Sequence, residues 1–177
     1  MSDRYIFRYI IILVAIVSVL LSAAAMWLQP YQRRNELNEQ RVNILKAAGI
    51  TGVDNKNAEQ LYNQHCTAET KGDTPYYIID GKITVIPMHG NGLWGPIWGY
   101  LGLSDDLQTI VDAVFDHKSE TPGLGAEIAT QEYQNRYEGK PIKEKVDAIA
   151  GATRTSKGVE EMISRTLETY LPYLEKQ

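Results

Sequence analysis

The chain has 177 residues, 44% of them hydrophobic, enough for one domain with a proper core. Its net charge is −4 and its basic residues are scattered rather than grouped, which leaves no footprint for nucleic acid. The single cysteine, Cys66, excludes an internal disulfide, and the isolated His65-Cys66 pair has no second Cys or His at ligand spacing, so no protein-borne metal site is expected.

A short tail, residues 1–9, precedes a span with no charge between Tyr9 and Gln32. Within it, residues 10–28 are almost all apolar, and a membrane-spanning helix needs about 20 such residues. Tyr5, Tyr9 and Trp27 sit where interfacial aromatics belong. The competing reading is a cleaved signal peptide with Ala23-Ala-Ala25 as its cleavage site, but the apolar run exceeds the usual core of roughly 7–15 residues. Arg4, Arg8 and the amino terminus face Arg33 and Arg34 across the span, close to a tie under the positive-inside rule.

Residues 29–70 read as a juxtamembrane stalk and linker. Pro30 is expected to close the apolar helix or kink it. Residues 35–48 then form a polar helix with Leu37, Ile44, Leu45 and Ala48 on one side and Gly49 as its stop. Residues 57–63 add a short helical turn, and Lys71-Gly-Asp-Thr-Pro75 has loop chemistry.

Residues 71–177 read as one globular domain. Apolar runs at 76–79 and 83–86 flank Asp80-Gly-Lys82, a strand–turn–strand signature. A further strand is expected from about Ile97, and another over residues 109–115 after a turn at Asp105-Asp106. A helix is expected over residues 126–137, ended by Gly139-Lys140-Pro141. Val159, Met162, Ile163, Leu167 and Leu171 recur at helical spacing and place the closing helix. Strands on short turns, followed by helices, predict an α+β domain with helices packed on an antiparallel sheet.

Three segments of this domain have chemistry to offer. Gly90-Asn-Gly-Leu-Trp-Gly-Pro96 is dense in glycine but lacks a Gly-Lys-[Ser/Thr] ending, so it is no Walker loop. It is either a β-turn with a packed tryptophan or a ligand-facing loop. Glu120-Thr-Pro-Gly-Leu-Gly125 sets Pro122 and Gly123 where a type II turn wants them. Such a turn exposes backbone N–H groups and directs Leu124 outward, suited to a planar ring, although a plain turn needs no more. Asp147-Ala-Ile-Ala-Gly-Ala-Thr153 feeds the closing helix, with Thr153, Thr155 and Ser156 as candidate caps. A helix start also holds phosphate, and Arg154 and Lys157 add cations beside it.

The Glu120–Gly125 and Asp147–Thr153 segments together resemble the FMN-binding domain family in which FMN is joined through its phosphate to a threonine. The resemblance is strongest to the C subunit of the Na⁺-translocating NADH:quinone oxidoreductase, because Gln40-Arg-Val-Asn-Ile-Leu-Lys-Ala-Ala-Gly-Ile50 is very like the juxtamembrane segment of that family. The G subunit of the Rnf electron-transport complex comes second. The likeness covers the anchor and stalk through Ile50, then Tyr76 onward, and the region between is shorter here than in the C subunits. The pattern Asp-x-x-(Ser/Thr)-Gly-Ala-Thr is matched at Asp147, Gly151, Ala152 and Thr153, with Ala150 where Ser or Thr is usual.

The resemblance implies FMN attached covalently as a phosphoester to Thr153, with Thr155 as the fallback, by a separate flavin transferase. It further implies that Glu120, Thr121, Gly123, Leu124, Gly125 and Trp94 contact the flavin, with Gly151 and Ala152 shaping the attachment turn. No residue is expected to act as a general acid or base. The implied protein is a non-autonomous electron-transfer subunit, single-pass in the inner membrane of a bacterium, with its globular domain outside the cytoplasm and other membrane subunits as partners. An anchored FMN-binding sensor and an anchored domain without cofactor are the alternatives.

Overall fold

In a computed structural model of the chain, residues 3–72 and 74–174 are described. The chain divides into two compact units, Met1–Glu39 and Gln40–Gln177. The first is helical throughout its described part and belongs to α1, Asp3–Ala47. It contains one stretch long and apolar enough to cross a membrane, with mean hydropathy 2.7 and none of that stretch buried. Tyr9 and Trp27 are exposed on it, while the side chain of Tyr5 lies outside the described residues. The helix does not end at Pro30. A proline costs one helical hydrogen bond, and α1 continues past that gap, so the expected separate anchor and stalk helices are one element.

The expected stop at Gly49 is present in full. Gly49 has φ 76°, its N–H donates to the Lys46 carbonyl at 2.7 Å, and the Ile50 N–H donates to Leu45 at 3.0 Å. These are the paired bonds of a Schellman ending, which a residue without Cβ closes at least cost.

The second unit is built on a five-stranded antiparallel meander in the order β1-β2-β3-β4-β5. The strands are β1 Cys66–Lys71, β2 Thr74–Ile79, β3 Ile83–Asn91, β4 Pro96–Leu103 and β5 Ile110–His117. Asp80 and Gly81 both take positive φ, 49° and 67°, and the Lys82 N–H donates to Ile79 at 3.1 Å, so the β2–β3 turn is the mirror-image kind that matches strand twist. Strand β1 carries no apolar alternation and was not expected from the sequence. Its place is fixed by pairing with β2, from Cys66 opposite Ile79 to Lys71 opposite Thr74.

Alternation along the strands sends successive side chains to opposite faces. Ile86, Met88, Leu101, Leu103 and Phe115 face helix α4, Thr153–Leu174, and pack with its Val159, Met162, Ile163 and Leu167. Their neighbours Val85 and Val114 face the other way, against Ile44, Leu45, Ala47 and Ala48 at the end of α1. Helix α2, Ala58–His65, adds Leu61 and Tyr62 to that second layer.

The helix expected over residues 126–137 is broken. Gly125–Ala129 forms a 3-10 turn, Thr130 is extended, and α3 covers only Gln131–Gln134. Tertiary contacts override the local preference. Tyr133 and Tyr137 stack their edges on Phe115, and the Gln134 amide donates to the Phe115 carbonyl at 3.0 Å.

Candidate functional site

The three segments singled out in the sequence meet at one end of the sheet. Between β3 and β4, the Gly92 N–H donates to the Gly95 carbonyl at 2.8 Å and closes a tight turn. Leu93 and Trp94 stand at its tip, 44% and 66% exposed. After β5, the Leu124 N–H donates to the Thr121 carbonyl at 3.1 Å, with Pro122 and Gly123 inside and Gly123 at φ 72°. That is the expected type II pattern. Thr121, Gly123 and Leu124 are exposed and Gly125 is buried.

Helix α4 begins at Thr153, and the Ser156 N–H makes its first bond to the Ala152 carbonyl at 3.0 Å. Three hydroxyls crowd this turn, and they have different fates. Thr155 is 1% exposed and donates to Glu120 Oε2 at 2.7 Å. Ser156 is buried, donates to the Ala152 carbonyl at 3.1 Å and accepts from the Ile149 N–H at 3.0 Å, which folds the preceding turn back on the helix. Thr153 is exposed. Thr155 therefore directs its hydroxyl to a distant partner, and Ser156 binds back to the Ala152 carbonyl, rather than capping the helix as expected. Gly151, with φ 78°, and Ala150 are exposed beside them, and Ala152 is buried.

Glu120 joins the parts. It is 4% exposed, and its Oε1 accepts the Trp94 N–H at 2.8 Å while Oε2 takes the Thr155 hydroxyl. A carboxyl this deep must have both oxygens met, and both are. Side chains at Gly92 or Gly125 would strike those same oxygens, so the glycines leave room for it. Leu124 reaches across to the turn that leads into α4, where a Cβ on Gly151 would lie 2.9 Å from its Cδ2. Gly158, one turn into α4, lies so close to the Asn91 carbonyl oxygen that no side chain fits between them.

Sequence reasoning did not single out Ser119 for the site, although its hydroxyl donates to the Trp94 carbonyl at 3.0 Å. Its only sequence signal is its place beside Glu120. His117 accepts the Glu120 N–H at 3.3 Å on Nδ1 and so helps to seat the loop. Beneath α4, burial pushes the Tyr133 and Tyr137 hydroxyls up, so these side chains act as packing rather than as acids. Two concavities, of about 900 and 600 Å³, lie away from these residues, one along residues 142–146 and the later turns of α4, the other beside Gly49 and Gln134. The meeting point itself is an open surface. It offers exposed apolar groups on Leu93, Trp94 and Leu124, free space at Gly123, and a hydroxyl at a helix start flanked by Arg154 and Lys157. A flat aromatic group held by a phosphate fits that set.

These features define a flavin-binding domain, and residues 92–168 match the family described as FMN-binding domain. A solved C subunit of the Na(+)-translocating NADH-quinone reductase from Parabacteroides distasonis is 33% identical, with a TM-score of 0.76 over 85% of this chain and 98% of that one. The chain belongs to the family of C subunits of that reductase. The C subunit of Neisseria meningitidis serogroup B is 27% identical over 229 aligned positions, 91% of this chain and 89% of the relative. Since this chain has 177 residues, that relative carries insertions that are absent here. NqrC of Shewanella oneidensis, at 19% identity and a TM-score of 0.68, shares the fold. The chain is thus an FMN-binding subunit of an NADH-quinone reductase, a part of an oxidoreductase with other subunits as partners, and its apolar helix is that of a single-pass membrane anchor.

Proposed function

We propose that FMN is carried as a phosphoester on the Thr153 oxygen and that the subunit relays electrons between neighbouring cofactors of the complex. One observation carries the choice of residue. Of the three hydroxyls in the first turn of α4, Thr155 and Ser156 are buried and engaged, and Thr153 is exposed. Attachment at Thr155 would require breaking its bond to Glu120 and opening the core.

FMN, when bound, supplies the ability to take up and release electrons one at a time. The chain supplies placement. The N–H groups and partial positive charge at the start of α4, with Arg154 and Lys157, hold the single negative charge of the phosphodiester. Trp94 and Leu124 give the ring apolar cover, and Thr121, Gly123 and Gly125 present backbone and hydroxyl groups to its polar edge. Gly151 and Ala152 keep the attachment turn narrow. In the modification the Thr153 oxygen bonds to phosphorus, the diphosphate linkage of FAD breaks, AMP leaves and the hydroxyl proton is released to water. A separate flavin transferase performs it. Residues 10–28 anchor the subunit in the inner membrane, and the unit from Gln40 onward holds the flavin outside the cytoplasm, where covalent attachment prevents its loss.

The test is intact mass and visible absorbance of the full chain co-expressed with a flavin transferase, alongside Thr153→Ala. A gain of one FMN that vanishes in the variant is expected. A gain that survives Thr153→Ala, or none in the unmodified sequence, overturns the assignment.

A further inference from the structure

We infer that Ser119 and Glu120 form a positioning pair that fixes Trp94 as a rigid aromatic plate beside the attachment turn. This rests on the proposed FMN site and assigns neither residue to direct contact with the ring.

Both backbone polar groups of Trp94 are held by side chains of the next loop. Its N–H goes to Glu120 Oε1 at 2.8 Å, and its carbonyl accepts from the Ser119 hydroxyl at 3.0 Å. The flanking Gly92 and Gly95 are joined at 2.8 Å, and a Cβ on either would collide with Glu120 or Ser119 respectively. A residue whose two flanking peptide planes are both gripped has little freedom to redirect its Cα–Cβ bond. Yet Trp94 is 66% exposed, outside the buried core. Tight control of the backbone under an unsupported ring serves no purpose in packing; it serves a ligand that stacks.

The second oxygen of Glu120 extends the arrangement to α4 through Thr155, two residues from Thr153. One carboxyl group therefore sets the indole relative to the tether. A ring attached at Thr153 has a fixed reach, so the two must be in register for them to overlap. Both oxygens of Glu120 already hold a donor, so its carboxyl acts on the ring's placement through Trp94 and Thr155.

The experiment uses the full chain co-expressed with a flavin transferase, with the content of FMN counted by intact mass. Visible circular dichroism reports how firmly the ring is held, and thermal melting reports the fold. Ser119 is exposed, so Ser119→Ala leaves folding intact. It should retain FMN and melting temperature but lose roughly half of the visible dichroism, as expected when an aromatic support is loosened. Ser119→Thr, which keeps the hydroxyl, should restore the signal. Glu120→Ala, which removes both of these contacts, should lose more. In a Trp94→Ala background, Ser119→Ala should change nothing further. Full dichroism in Ser119→Ala, or an equal further loss without Trp94, overturns the positioning role while leaving the attachment in place. Absence of FMN from the unsubstituted chain is seen by mass alone and overturns both.

Discussion

Asp112 shows how an individual side chain can be held at a cost. It sits on β5, half-buried, and burial pushes its carboxyl above 3.8; the Ala113 N–H opposes that shift and Glu138 adds repulsion. A raised acid in the folded state means that its contribution is fully present below pH 3.8 and is lost as pH rises through the shifted value. At neutral pH the charged group therefore works against folding. Asp112→Asn keeps an oxygen to accept the Ala113 N–H, made at 2.7 Å. The variant should be more stable at neutral pH by about 0.5 kcal/mol, the small size reflecting solvent screening of a half-exposed group. The gain should disappear on acidification; in denaturant titrations at several pH values, a loss of stability at neutral pH or an offset that does not change with pH would overturn this reading. Glu120 differs from it in having both oxygens matched to donors, so its burial organises the site.

At the scale of elements, α4 and β3 must approach until Gly158 touches the Asn91 carbonyl oxygen. Gly→Ala in a helix ordinarily stabilises by about 1 kcal/mol. Here the added methyl meets backbone that cannot yield, an overpacking cost of roughly 1–3 kcal/mol. The second effect should win. Gly158→Ala should lower stability by about 1 kcal/mol and displace the first turn of α4, with FMN incorporation falling in parallel. A variant more stable than the parent would show that the helix can slide. Such contacts explain what the sequence could reveal. The β2–β3 turn, the Gly49 stop, the Pro122-Gly123 turn and the amphipathic α4 were legible because each is set by its own residues. Strand β1 and the broken segment around α3 were not, since pairing with β2 and the grip of Phe115 on Tyr133 and Tyr137 decide them. Within the site, the motif segments could be read, but the bridging by Glu120 and Ser119 depends on proximity between residues 25 or more apart.

Over the whole molecule, tyrosine is the recurrent filler of both sheet faces. Burial pushes the hydroxyls of Tyr62, Tyr77, Tyr100, Tyr133, Tyr137 and Tyr170 up, with Tyr100 at about 12. Unfolded tyrosine ionises near 10. The folded chain thus keeps protons that the unfolded chain gives up, so stability is intact below pH 10 and declines as pH rises through about 12. Unfolding midpoints should be level at neutral pH and fall steeply in alkali, with tyrosinate absorbance rising together with unfolding. Full tyrosinate formation near pH 10 in a chain that is still folded would contradict this.

The meander order has a consequence for biogenesis. Each strand pairs with the one just made, so the sheet can assemble as the chain emerges, whereas α4 follows all five strands. Trp94 and Glu120 precede Thr153 in the chain, and Glu120 gains its second partner, Thr155, only with α4. Under the proposed attachment, Thr153 takes its place at the helix start only when α4 docks on β3, so a modifying enzyme that requires the docked helix would pass over nascent and misfolded copies. Cofactor loading would thereby serve as a record of completed folding.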